Sequence, residues 1–276
     1  MTKILSWNIQ SGLGCDRIRD LDRISNYIRE HGFPEIICLQ EVSRNISDYS
    51  APEQSDQLKY LKKKFPEYSA HWATGASWLN KDGKCEEFGN LTLSRVPVRL
   101  SRTHLLPKPP AEGELQIARA AIEVIIPYGD NFLRLINSHL AYHQSSERRS
   151  QLEYFCQYQK WEQESCTKGA TLKTGAYAHH ISTSNTVICG DFNFTPGGDD
   201  HAFFTANGWQ DAWNFFYTHN PATCGVFDQD LWPEGSHCRD YFWLSKQCVY
   251  QPCEASVDQQ VKYSDHQPIT ITFPKV

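Results

Sequence analysis

A mixed α/β architecture follows from three features of the sequence. Short, largely apolar runs at Glu35-Ile36-Ile37-Cys38-Leu39 and Thr186-Val187-Ile188-Cys189 have the length and branched content of buried strands. Interleaved with them are segments of helical period, such as the one carrying Leu21, Ile24 and Ile28. Adjacent strand-like segments, such as Arg119–Ile126 and Phe132–Asn137 across Pro127-Tyr128-Gly129-Asp130-Asn131, predict antiparallel partners within the same sheets.

The chain opens with a strand over Lys3–Trp7 and a turn at Ser11-Gly12-Leu13-Gly14. The first helix follows, with Gly32 and Pro34 as its stop, and leads into the Glu35–Leu39 strand. A second helix is expected over Ser55–Phe65, with Leu58, Leu61 and Phe65 on one face and Lys62-Lys63-Lys64 as a solvated run. Aromatic strands around Trp72 and Trp78, a turn at Asp82-Gly83 and a strand near Asn90–Ser94 come next. After the 119–137 strand pair, a helix is expected from Ser146 to Glu162. Residues 166–185, rich in Thr, Ser, Gly, Lys and His, then read as a loop. Beyond Thr186–Cys189, strands return at Tyr241–Leu244 and Gln267–Phe273. No linker or repeat divides the 276 residues, so one domain is expected.

At 31.7 kDa the folded chain should expose about 12,000 Å² against about 46,000 Å² unfolded, enough burial for a substantial core. No eighteen-residue apolar stretch is present, which argues against a membrane span, and the N-terminus turns polar too early for an export signal. A cytoplasmic monomer with no protein partner is the expectation. Ten scattered cysteines without a Cys-x-x-Cys pair read as free thiols, and the spacing of His237, Cys238, Cys248 and Cys253 fits no zinc finger. Net charge is −5, split as +2 over residues 1–150 and −7 over 151–276. That is not the basic footprint of a tight nonspecific nucleic-acid binder, but an acidic half suits carboxylates gathered for a divalent cation.

Polar groups cluster where the strands end. Asn8 closes the first strand, Gln40-Glu41 the second, Ser138-His139 the Phe132–Asn137 strand and Asp191 the Thr186 strand. Asp240 and Asp265-His266 precede the last two. Buried strands sharing one sheet edge would bring Glu41, Asp191, Asp240 and Asp265 together with His139 and His266, framed by Asn8 and Asn193. Such a donor set, hard oxygens without thiolates, suits Mg²⁺ or Mn²⁺. Packed carboxylates would otherwise repel and stay protonated unless a cation or histidine compensates.

The ordered set Ser6-Trp7-Asn8, Leu39-Gln40-Glu41-Val42, Gly89-Asn90-Leu91-Thr92-Leu93-Ser94-Arg95, Asn137-Ser138-His139-Leu140, Gly190-Asp191-Phe192-Asn193, Arg239-Asp240-Tyr241-Phe242 and Ser264-Asp265-His266 resembles the endonuclease/exonuclease/phosphatase superfamily of DNase I-like fold. The resemblance implies a four-layer α/β sandwich, two mixed β-sheets face to face with helices outside, and metal-dependent hydrolysis of a phosphate ester. It implies Glu41 as principal metal ligand, with Asn8 and Asp265 completing or bordering that site. Asp191 matches the residue that orients or deprotonates water, or holds a second metal, and Asn193 the partner that fixes Asp191 and the phosphate. His266 matches the histidine near the scissile phosphate, Asp240 the carboxylate orienting it, and His139 the histidine of the DNase I-like and sphingomyelinase-like branches. Asn90 is either a phosphate contact or the close of a turn after Gly89.

Several residues take a structural reading: Arg95 and Arg119 as ordinary salt-bridge partners, Arg148 and Gln151 as helix packing, Asp199-Asp200 as a helix cap, and Trp209, Asp211 and Trp213 as packing. The substrate class expected first is nucleic acid, followed by a phospholipid, inositol phosphate or small phosphate ester. An inactive binding module is disfavoured because Glu41, Asp191, Asp265 and His266 are all present.

Overall fold

Alternation of side chains along the strands builds the layers. In the computed structural model the described residues are 1–46, 49, 52–110, 117–168, 174–175 and 181–275. Strand β1 (Thr2–Asn8) turns Ile4 into the central core and Leu5 and Trp7 outward, and β2 (Ile36–Arg44) splits Ile36 and Cys38 from Ile37 and Leu39 in the same way. The outward set is covered by α1 (Leu21–Glu30), which contributes Ile24 and Ile28, and α2 (Gln57–Lys64), which contributes Leu61. Their sheet continues through the hairpin of β3 (Ser69–Leu79) and β4 (Cys85–Ser94).

The second sheet contains β5 (Leu100–Leu105), β6 (Ala120–Tyr128), β7 (Asn131–His139), β8 (Thr186–Asp191), β9 (Trp209–Asp211) and β10 (Asp240–Ser245). Helices α3 (Ser145–Lys168) and α4 (Asp199–Ala206) pack on it through Leu152, Phe155 and Phe204. With β11 (Glu254–Val257) and β12 (Ile269–Phe273), the sheet orders are β11-β12-β1-β2-β4-β3 and β5-β6-β7-β8-β10-β9. Among the described residues only β1–β2 and β7–β8 are parallel pairs, so both sheets are mixed and the molecule is a four-layer α/β sandwich.

Polar groups also tie the two sheets together beneath the strand ends. The Gln40 amide donates to Asn137 Oδ1 (2.7 Å), and Asn137 Nδ2 donates to the carbonyls of Leu91 (3.0 Å) and Leu39 (3.2 Å). All of these groups are buried, so truncation strands several of them. Asn137→Ala is expected to cost about 2–3 kcal/mol, read as a shift in the urea midpoint at unchanged slope.

Some boundaries differ from the sequence expectation. Helix α3 runs past Glu162 to Lys168. Glu162 is a mid-helix anchor, paired with Arg102 (2.9 Å) and with Arg134, and Ser165 and Thr167 bond back to helix carbonyls. Of the expected 166–185 loop, residues 169–173 and 176–180 lie outside the described residues. Strand β2 does not end at Leu39 but continues to Arg44 through a bulge. Helix α4 is not capped by Asp199 or Asp200; its N-cap is Gly198, and Asp200 lies in the first turn. The ten cysteines are free. Cys238, Cys248 and Cys253 donate to the carbonyls of Asp240, Tyr250 and Thr272, so they do not converge on a metal. Among the described residues no helix is long and apolar enough to cross a membrane.

Candidate active site

The carboxyl ends of β1, β7 and β8 meet the bulge of β2 at one edge of the sandwich. Strand β10 runs antiparallel to β8, so its first residue, Asp240, sits opposite Asp191. The 264–266 segment enters the same edge just ahead of β12. Ser264 Oγ donates to the Asn8 carbonyl (2.7 Å) and Trp7 Nε1 to the His266 carbonyl (2.9 Å).

Glu41 is placed by distortion. It sits in the β2 bulge with φ of 56°, a left-handed conformation that costs a non-glycine residue about 1–3 kcal/mol. Ser11 Oγ donates to its carbonyl (2.9 Å), which holds the strained peptide in place. The side chain, 26% exposed, therefore faces the edge instead of the sheet. Asn193 also has positive φ, 55°, tolerable for asparagine, and its N–H donates to Asp191 Oδ1 (2.9 Å).

Of the expected residues, Asn8, Glu41, His139, Asp191, Asn193, Asp240 and His266 form one connected set, whereas Asp265 bonds to Trp232 and Ser264. Asn8 Nδ2 bridges Glu41 Oε1 (3.0 Å) and Asp191 Oδ2 (3.1 Å). His266 Nδ1 donates to Asp240 Oδ2 (2.8 Å), while its Nε2 lies 3.6 Å from Asp191 Oδ2. His139 Nε2 lies 3.4 Å from that same Asp191 oxygen. The two histidines differ in state. Arg119 only donates, so its 3.0 Å contact makes His139 Nδ1 an acceptor and leaves the proton on Nε2. Burial, helped by Arg119 and His266, holds His139 well below the ordinary histidine range, hence neutral. Burial also opposes charge on His266, but Asp240, Asp191 and Asp265 prevail and hold it well above that range.

The carboxylates face the opposite problem. Burial raises Glu41, with Asp265 adding repulsion. It raises Asp191, with Asp240 opposing its charge, and it raises Asp265 against Asp191. Three oxygen-rich groups resisting ionisation at one edge are what a hard divalent cation would relieve, so the donor set fits Mg²⁺ or Mn²⁺. Asp191, Asp240 and His266 also present ligand atoms within 4.8 Å of one another. A charged imidazole has no free lone pair, so in that state His266 offers no ligand atom and the triad is an ion-paired group.

Asn90 stands apart from the turn reading. It lies within β4, and its Nδ2 donates across to the Ala120 carbonyl of the other sheet (2.7 Å). Arg95 is a salt-bridge residue, paired with Glu35 (3.0 Å). Arg119 is not: among the described residues no carboxylate lies within ion-pair distance of it, and it serves His139 instead. Its place just before a buried strand carried no signal of that role. Sequence reasoning also missed Thr223, whose hydroxyl donates to Asp240 Oδ2 (2.6 Å), and Trp232, whose Nε1 donates to Asp265 Oδ2 (3.3 Å). Both come from the long segment before β10, far in sequence from their partners. Arg148 and Gln151 hold the chain after His139, through the Ala141 carbonyl and N–H. A cleft of about 770 Å³ opens beside Asn193, with Tyr142, His143, Arg149, Phe194 and Arg239 among its walls.

The model of the endonuclease/exonuclease/phosphatase family matches residues 5–266. Comparison with curated protein sequences gives no match. Among solved structures, the chain is similar to an endonuclease/exonuclease/phosphatase from Beutenbergia cavernae, at 18% identity and a TM-score of 0.71, covering 98% of this chain and 70% of that one. It is also similar to a mannosyl-6-phosphatase from Bacteroides thetaiotaomicron, at 16% identity and TM-score 0.68, over 99% and 100% of the two chains. A third similar structure is TDP2 from Caenorhabditis elegans, at 17% identity and TM-score 0.62, over 99% and 74%.

Proposed function

This chain belongs to the endonuclease/exonuclease/phosphatase family, and from that premise we propose that it is a divalent-metal-dependent phosphohydrolase that cleaves a phosphodiester of nucleic acid by in-line attack of water. The observation that carries the reading is the convergence of Asn8, His139 and His266 on the single Asp191 oxygen, with Glu41 one hydrogen bond away through Asn8.

Glu41 would hold the ion, bordered by Asp265 and Asn8. When bound, Mg²⁺ or Mn²⁺ neutralises the anionic phosphate that otherwise repels a nucleophile. Asp191 orients the water and accepts its proton. We assign that role to Asp191 because its Oδ2 lies at the meeting point of Asn8, His139 and His266, while His266 is engaged with Asp240. Asn193 fixes Asp191 through its backbone N–H. His266, positioned by Asp240 and Thr223, and neutral His139 present N–H donors to the phosphoryl oxygens as charge builds there. His139 supplies a donor without adding a second full charge beside Arg119.

Nicking of supercoiled plasmid by the purified protein tests this directly. Nicking is expected in Mg²⁺ or Mn²⁺ and should vanish with EDTA, returning when excess metal is restored. A second reading, a small phosphate ester as substrate, is favoured by the net charge of −5 and by a cleft of about 770 Å³, a size suited to a small ligand. The mannosyl-6-phosphatase of similar fold illustrates it. Absent nicking, together with metal-dependent release of phosphate from sugar phosphates, would select that reading.

A further inference from the structure

Arg239 is the only arginine between residue 151 and the C-terminus, in the half of the chain that carries a net charge of −7. Its side chain is only 14% exposed, and its guanidinium lies over a pair of rings set edge to face, 4.7 Å from the centroid of Trp232 and 5.3 Å from that of Tyr142. Backbone contacts fix it to the site. The Arg239 N–H donates to Thr223 Oγ1 (3.0 Å), the hydroxyl that also serves Asp240, and its carbonyl accepts from the N–H of Phe192, between Asp191 and Asn193 (2.9 Å).

The head group is oriented but weakly neutralised. Its Nε donates to His237 Nε2 (2.7 Å), and His237 Nδ1 in turn donates to the Gly235 carbonyl (2.7 Å), so this histidine is a neutral acceptor. The only carboxylate within ion-pair distance among the described residues is Glu234 at 3.3 Å, itself 48% exposed, a contact that water screens and an incoming anion can displace. Across the cleft, Arg148 and Arg149 share the one carboxylate of Asp200 (2.7 and 2.9 Å). With Asp199 also on the wall, the lining charges leave Arg239 as the one cation whose only counter-charge among the described residues is the exposed Glu234.

We propose that Arg239 is a specificity residue that binds a second anionic group of the substrate, so the preferred substrate is a phosphate ester carrying another phosphate beyond the one attacked. This rests on the hydrolytic reading above only for the place of the first phosphate. A guanidinium packed on two rings and tied through Nε to His237 has lost most of its rotamer freedom before binding, so a bidentate contact to phosphate costs little further ordering. The requirement is shared by nucleic acid, where the neighbouring phosphate supplies it, and by small bisphosphates.

The test is calorimetric binding in Mg²⁺ buffer of two probe pairs: thymidine 5′-monophosphate against thymidine 3′,5′-bisphosphate, and glucose 6-phosphate against glucose 1,6-bisphosphate. ³¹P NMR checks that each probe stays intact. In at least one pair the bisphosphate is expected to bind about tenfold more tightly to the native protein, the scale of one charge-assisted contact. In Arg239→Met, which keeps the aliphatic packing against the rings, that ratio should fall to about one, and Arg239→Lys should restore part of it. The pair that shows the effect identifies the source of the second phosphate. A ratio near one in both pairs for the native protein, or an undiminished ratio in Arg239→Met, overturns the proposal. Because the readout is binding, it is separate from the plasmid-nicking and phosphate-release assays: a bisphosphate preference with both of those negative would sink the catalytic reading and leave this one standing.

Discussion

Asp191→Asn is expected to lower turnover of any hydrolysed substrate by at least about a thousandfold, the combined scale of a lost general base and a lost electrostatic contact. The substitution is isosteric, yet it removes the one charge toward which three donors point. Asn8 Nδ2 lies 3.1 Å from Oδ2, with the Nε2 atoms of His139 and His266 at 3.4 and 3.6 Å, and the Asn193 N–H occupies Oδ1 at 2.9 Å. However the new amide turns, its NH₂ meets donors. If its oxygen stays with Asn193, the NH₂ faces Asn8 and both histidines; if it flips, the NH₂ faces the Asn193 N–H. Initial rates alongside thermal melting would separate lost chemistry from lost folding. A variant that melts like the native protein and retains more than a tenth of its rate would remove Asp191 from the mechanism, and with it the assignment of the proton.

How much of this site the sequence discloses depends on which residues carry a local signal. Asn8, His139 and Asp191 are legible because each closes an apolar run, and a run that length buried on both faces has only one way to end at a sheet edge. The central strands β1, β2, β7 and β8 are legible for the same reason. The strands missing from the sequence reading are β5, β9 and β11, all edges of their sheets. An edge strand buries less and can be short, so its composition resembles a loop: β9 has three residues and β11 has four. Glu41 is a subtler case. Its place in the site was readable, but not the bulge that puts it there, because the left-handed turn at Glu41 depends on Ser11 from another segment. Thr223, Trp232 and Arg119 mark the limit: their roles lie wholly in tertiary contacts to Asp240, Asp265 and His139, and no spacing in the chain encodes them.

The glycine that precedes Asp191 shows how closely the geometry of the candidate site is tied to packing, and Gly190→Ala is expected to cost more than about 4 kcal/mol or to prevent folding altogether. Gly190 has φ of +132°, which L side chains rarely adopt, and a Cβ there would stand 1.8 Å from the Ser138 carbonyl oxygen and 2.9 Å from its carbon. Backbone, unlike a flexible side chain, cannot swing away. Ser138 and Gly190 are register partners in the parallel β7–β8 pair, and Gly190 also faces Tyr241 in β10, so relief requires prising apart strands in the middle of the sheet. The next register pair is His139 with Asp191, and Gln40 of the inter-sheet bridge lies 3.3 Å from the same Cβ position. Any surviving fold should therefore lose activity along with stability. Gly83→Ala is the matched control: φ is +74° there too, at the tip of the β3–β4 hairpin, but nothing lies within 4 Å of the added carbon. Its cost should be the strain alone, about 1 kcal/mol. Urea midpoints of the two variants measure the difference directly. If Gly190→Ala unfolded no more easily than Gly83→Ala, the close approach of β7 and β8 would not be what holds His139 against Asp191.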